Sequence, residues 1–185
     1  MKKLFLPLSK DIIKELKAGD KVELWGSLYT LRDRAHQKLT EAIKKRKKMP
    51  FSLVNKAIYY TGPTPALPGR AIGSCGPTTS SRMDVFTPLL LKKGVKALIG
   101  KGNRSLAVID ALKKYQGVYF VTIGGAGAFL ARKVHKAGIV AYPELGPEAV
   151  YQLQVRGFPA IVAIDSCGRS IFKYNHRKLT PRRCK

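Results

Sequence analysis

The stretch Gly73-Ser74-Cys75-Gly76-Pro77-Thr78-Thr79-Ser80-Ser81-Arg82-Met83-Asp84 combines glycines, a proline, a row of hydroxyl residues and one arginine. It is too polar for a core strand. Pro77 suits the first turn of a helix, where its missing N–H costs nothing. Met83, Phe86, Leu89 and Leu90 then recur at roughly helical spacing. The pattern predicts a glycine-lined loop running into a helix N-terminus near Pro77. Free N–H groups and the positive dipole end favour an anion at such a place. Thr78 and Thr79 add hydroxyl donors, and Arg82 falls one turn further on the same side. Two readings fit these twelve residues: an anion site, or an ordinary helix cap with a solvated arginine.

Other polar groups fall at the ends of predicted strands. Arg32 follows a strand at 21–30, Lys101 sits in Gly100-Lys101-Gly102, and Gly124-Gly125-Ala126-Gly127 follows a strand at 117–123. In an α/β domain, ligands bind at the C-terminal ends of the strands. Several cations and two hydroxyls with few carboxylates suit a small acidic ligand, because a guanidinium grips a carboxylate through two parallel hydrogen bonds. Each arginine taken singly also reads as a surface charge. The 124–127 turn meets neither the dinucleotide nor the P-loop spacing, so small residues letting a helix approach a sheet explain it as well. His36, His135 and His176 are scattered, and no catalytic or metal-ligating His/Cys/Asp set exists in the chain. What remains looks like half of an active site.

These groups need elements to carry them. Ser9 can cap a helix over 9–18, and Val22, Leu24 and Gly26 alternate with Glu23, Trp25 and Ser27 in the strand at 21–30. A long basic helix ends before Pro50, and its charge run at 44–48 reads as a solvated helix end. A strand at 57–61 leads into a Pro/Gly-rich loop at 62–77. The helix after Pro77 should reach about residue 93. Strands at 95–99 and 117–123 then alternate with helices at 104–115 and 127–136. A short strand at 139–142, alternation over 148–155, an apolar run at 160–165 and a hairpin across Cys167-Gly168 complete the pattern. The basic tail, about 174–185, should be frayed. The expectation is an α/β fold with one domain over residues 1–185.

The chain has 185 residues, 45% of them hydrophobic, which is enough for a substantial core. Lys+Arg number 35 against 11 Asp+Glu, a formal net charge of +24, which fits nucleic acid, an acidic partner or an anionic substrate. No RNA-binding signature appears, which leaves a nucleic-acid module as the remote alternative. Cys75, Cys167 and Cys184 are odd in number, without C-x-x-C or zinc spacing, and argue against a disulfide framework. The N-terminus lacks a signal-peptide pattern and no apolar run approaches the roughly 20 residues of a membrane span, so the cytoplasm is expected.

Gly26-x-x-Tyr29-Thr30-x-Arg32-Asp33-x-Ala35-His36, Ile58-Tyr59-Tyr60-x-Gly62-Pro63, Gly73-Ser74-x-Gly76-Pro77-Thr78-Thr79-x-x-Arg82-Met83-Asp84 and Ile99-Gly100-Lys101-Gly102 occur in this order. Gly124-Gly125-Ala126 and Glu144-Leu145-Gly146-x-Glu148-Ala149 follow. Over about residues 20–173 the chain resembles the beta subunit, or C-terminal domain, of the iron–sulfur fumarate hydratases and their L-tartrate dehydratase relatives. The resemblance implies a swivelling β/β/α domain that closes over a [4Fe-4S] cluster ligated by a partner alpha subunit, with no metal ligands in this chain. It implies reversible hydration of fumarate to (S)-malate in an αβ or α2β2 assembly, with L(+)-tartrate dehydration as the near alternative and no membrane partner. By motif, Arg32, Arg82 and Lys101 would hold the dicarboxylate. Thr78 would be the candidate base, Thr79 a hydrogen-bonding neighbour and Arg82 a catalytic cation. His36 matches a family position without an evident role. Cys75 departs from the family, which often has a small residue such as alanine there. It reads either as an acidic thiol at a helix N-terminus or as a small filler.

Overall fold

The computed structural model describes residues 1–172. The expected tail at about 174–185 lies outside them. Five strands, β1 (Lys2–Phe5), β2 (Lys21–Thr30), β3 (Ala57–Tyr59), β4 (Ala97–Gly100) and β5 (Val118–Val121), lie side by side in parallel. The long strand β7 (Val150–Ile164) runs antiparallel to β5 through Ile161–Ile164 and to β2 through Gln152–Ile161. One strand thus bridges β2 and β5 and closes β2-β3-β4-β5-β7 into a barrel-like ring, with β1 paired to β2. Strand β6 (Val134–Ala141) is added on the outside of β7. The fold is α/β, as the alternation of elements predicts.

Strands β3, β4 and β5 are buried on both faces, so their side chains divide by the two-residue period of the pleat. In register, Ala57, Ala97 and Val118, then Tyr59, Ile99 and Phe120, point to one apolar cluster shared with Leu24, Leu153 and Phe158. Ile58, Leu98 and Tyr119 point to the other, which packs against the helices α2 (Asp33–Lys44), α3 (Thr87–Lys92) and α4 (Leu106–Tyr115) through Leu39, Leu90 and Leu112. The layers are therefore a curved sheet around one core and helices over the other.

Local signals account for much of this. Ser9 caps α1 (Lys10–Glu15) by accepting from the Ile12 N–H at 3.2 Å. The charge run at 44–48 is exposed at the end of α2, as a solvated helix end should be. Other segments depart from expectation. Strand β1 has too few residues for its alternation to stand out. Helix α5 (Gly127–Ala131) is shorter than 127–136, because residues from Val134 onward pair with Val155–Val150 of β7.

The largest correction concerns Pro77. No helix starts there. The Thr78 N–H donates to the Tyr60 carbonyl at 2.7 Å, Thr79 bridges Lys101 in parallel, and the Ser80 N–H donates to the Lys101 carbonyl at 3.1 Å. Pro77–Thr79 therefore runs extended between the ends of β3 and β4. A 3-10 turn follows at Ser80–Met83, and α3 begins only at Thr87 with Pro88 in its first turn. Backbone groups claimed by the sheet cannot serve a helix N-terminus, so the helix-dipole anion site is absent.

Candidate active site

The site lies where β2, β3 and β4 end. Arg32 follows β2 by two residues and is half-buried. It is packed against Gly62, where a Cβ would come within 2.6 Å of Arg32 Cδ and 2.8 Å of Nη1. Glycine is required there because the arginine stem occupies that space. Lys101 follows β4, is exposed, and runs its Cδ over the Gly124 turn. Between them Thr78, half-buried, and Thr79, exposed, are held by the backbone bonds described above.

Arg82 returns onto Thr78 from the 3-10 turn: its Nη2 donates to Thr78 Oγ1 at 2.8 Å. The same nitrogen donates to Asp33 Oδ2 at 3.1 Å. Asp33 Oδ2 lies 3.9 Å from Arg32 Nε, and Arg32 Nη2 lies 4.0 Å from Glu148 Oε1. The Arg34 N–H donates to the other Glu148 oxygen at 2.8 Å. The result is an alternating row, Glu148–Arg32–Asp33–Arg82–Thr78, assembled from three distant parts of the chain. Arg32 Nε is buried without a hydrogen-bond partner. Thr78, Thr79, Arg82, Arg32 and Lys101 are thus brought to one rim. Asp33 and Glu148 complete it; they stand in the motifs but carry no periodicity or spacing that marks them as partners of the arginines.

The rest of the Arg82-Met83-Asp84 motif is scaffold. Met83 is buried in the helix-side core. Asp84 accepts from Arg104 Nε at 2.7 Å and from the Ser105 N–H at 2.6 Å, tying the 3-10 turn to the start of α4. Arg104 is buried, donates to Thr87 Oγ1 at 2.7 Å, and lies about 5 Å from the Tyr60 and Tyr119 rings. Nothing in its local sequence marks it, since its partners come from elsewhere in the chain.

His36 lies beneath the row and does not reach the rim. Its ring is fully buried between Tyr60 and Phe86, with centroids at 5.4 and 5.7 Å. Nδ1 lies 2.8 Å from the Arg32 carbonyl oxygen, which can only accept, so Nδ1 carries the proton. Burial pushes its pKa from 6.5 down to about 4, and the Arg104 charge adds to that shift. His36 is a neutral strut under Arg32.

Cys75 is fully buried, and burial pushes its thiol up to about 12. The acidic-thiol reading fails with the missing helix N-terminus, and the filler reading stands. At the 124–127 turn, a Cβ on Gly127 would stand 2.2 Å from Ser74 Oγ and 2.9 Å from the Gly76 nitrogen. Here glycine lets α5 approach the loop, which is the packing explanation.

The family model described as fumarase C-terminus matches residues 2–175, nearly the whole chain. The chain belongs to the fumarase C-terminus family. It is 40% identical over 185 residues to a putative L(+)-tartrate dehydratase subunit beta of Methanocaldococcus jannaschii, covering 97% of this chain and 95% of that protein. It is 39% identical over 169 residues to the anaerobic class I fumarate hydratase of Escherichia coli K12, covering 89% of this chain and 31% of that enzyme. Fumarate hydratase 2 of Leishmania major is 38% identical over 162 residues, with 86% of this chain and 28% of the relative covered. The chain therefore spans about a third of the fumarate hydratases it matches, and almost all of the tartrate dehydratase subunit. Among the described residues no helix is long and apolar enough to cross a membrane.

Proposed function

We propose that this chain is the beta subunit of an iron–sulfur hydro-lyase that interconverts fumarate and (S)-malate. The observation that carries this reading is the donation from Arg82 Nη2 to Thr78 Oγ1 at 2.8 Å, with Arg32 and Lys101 on the same rim. Arg32, Arg82 and Lys101 bind the two carboxylates of the substrate. Removal of a proton beside a carboxylate places negative charge on that carboxylate, and cations already aimed at it stabilise the transition state. Thr78 Oγ1 takes the proton as the alkoxide, having first given up its own hydroxyl proton to solvent. A free alcohol is a very weak acid, and the Arg82 N–H aimed at Oγ1 favours its anionic form. Thr79 is a hydrogen-bonding neighbour.

An iron–sulfur cluster supplies a Lewis acid for the substrate hydroxyl. Among the described residues no group of three or more His, Cys, Asp and Glu could hold a metal ion. The described residues offer no ligand set for the cluster, which in this reading belongs to an alpha subunit in an αβ or α2β2 assembly. The domain closes over it by swivelling, in the cytoplasm. A second reading, the beta subunit of an L(+)-tartrate dehydratase, is favoured by the near full-length match to the Methanocaldococcus jannaschii protein.

The test is anaerobic co-purification with the candidate alpha subunit, followed by steady-state rates on fumarate, malate and L(+)-tartrate. A complex that turns over fumarate and malate supports the first reading, and one that prefers tartrate supports the second. A cluster-loaded complex inactive on all three sinks both. Arg82→Ala in the active complex is expected to lower turnover by about 100-fold or more, as for loss of one charge-stabilising donor.

A further inference from the structure

Asp33 has no assigned part in the chemistry, yet its carboxylate stands between two arginines of the proposed site. Its Oδ2 accepts from Arg82 Nη2 at 3.1 Å and lies 3.9 Å from Arg32 Nε. Arg82 Nη2 carries two hydrogens, and the other is donated to Thr78 Oγ1 at 2.8 Å. A guanidinium is planar, so fixing one N–H of a nitrogen fixes the direction of the other. Asp33 itself is anchored in the first turn of α2, where a carboxylate is favoured by the helix dipole. We propose that Asp33 is a positioning residue: it sets the Arg82 guanidinium so that Nη2 donates to Thr78 Oγ1. This assignment rests on the reading of the site given above.

The Arg82 and Asp33 side chains are 48% and 40% exposed. An ion pair that open to water contributes little to stability. Its effect is therefore geometric, and removing it should leave folding and assembly unchanged while misplacing Arg82. All three carboxylate-binding cations, Arg32, Arg82 and Lys101, keep their charge in Asp33→Asn and only the Arg82 donation to Thr78 is disturbed, so the loss falls on kcat more than on KM.

The experiment is a kinetic cycle in the alpha–beta complex with Asp33→Asn, Arg82→Ala and the double variant, on the complex's own substrate. Asp33→Asn is expected to lower kcat by roughly 10- to 100-fold, the scale for a small misplacement of a catalytic group, with KM changed by less than about threefold. In the double variant, Asp33→Asn should add nothing to the Arg82→Ala loss, because Asp33 acts only through Arg82. Losses that multiply overturn the assignment, since they signify a separate structural role. Asp33→Glu keeps the charge on the same turn and should retain more activity than Asp33→Asn; equal losses overturn the assignment as well. A crippled Arg82→Ala beside a wild-type Asp33→Asn overturns the role of Asp33 alone. An Arg82→Ala complex at the wild-type rate overturns the reading of the site itself.

Discussion

The neutral state of His36 makes stability depend on pH in a calculable way. The ring is fully buried, with its pKa pushed from 6.5 down to about 4. In the unfolded chain it takes up a proton near pH 6.5; in the folded chain it resists until about pH 4. Above pH 6.5 both states are neutral and the histidine imposes no cost. As pH falls through 6.5 the unfolded state binds the extra proton, so stability drops, and the drop is complete below about 4. One pKa unit is worth about 1.4 kcal/mol, so the full loss is about 3 kcal/mol, of which about 2 is already present at pH 5. The perturbation is His36→Phe. A phenyl ring keeps an aromatic side chain between Tyr60 and Phe86 and does not titrate, and the backbone N–H of residue 36, which donates to the Arg32 carbonyl at 2.9 Å, is unchanged by the substitution. Urea unfolding of both proteins should be followed from pH 7.5 to 4.5. Carboxylates titrate in both and cancel, so the difference in unfolding free energy should shift toward the variant by about 2 kcal/mol between pH 7.5 and 5. Parallel profiles would refute the argument, because they would mean that the buried ring is protonated without cost.

Arg104→Met keeps much of the stem but leaves Asp84 without its buried guanidinium, and a loss of about 3–5 kcal/mol in unfolding free energy is expected by denaturant titration. A loss under about 1 kcal/mol would show that Asp84 is satisfied by the Ser105 N–H alone. Cys75, with its thiol pushed up to about 12 and no exposure, should resist iodoacetamide in the folded protein at pH 8 and react on unfolding in urea. Fast labelling of the folded chain, read by mass spectrometry of the Cys75 peptide, would contradict the burial. The Arg82→Ala and Asp33→Asn measurements complete the set.

Sequence by itself determined what depends on neighbours close in the chain. The Ser9 cap, the alternation of β2, the solvated basic end of α2 and the strand–helix alternation all follow from short-range rules, and all are present. The motif residues Arg32, Thr78, Thr79, Arg82 and Lys101 were expected to hold a carboxylate, and the structure sets them at or just after the ends of β2, β3 and β4. The same short-range rules misread Pro77, because proline and glycine spacing describes a helix start equally well when the backbone donors are in fact taken by Tyr60 and Lys101.

Tertiary structure alone decided the rest. Closure of the ring needs β7 to pair with both β2 and β5, contacts across more than a hundred residues in the first case. The contact from Arg82 to Asp33 spans 49 positions and that from Arg34 to Glu148 spans 114. No helical or strand period extends that far, so neither acid could be assigned to its cation from the chain. Arg104 and His36 make the same point for charge: in sequence each reads as a solvated polar side chain, and only burial turns Arg104 into a clamp on Asp84 and keeps His36 a neutral strut beneath Arg32 well below pH 6.5.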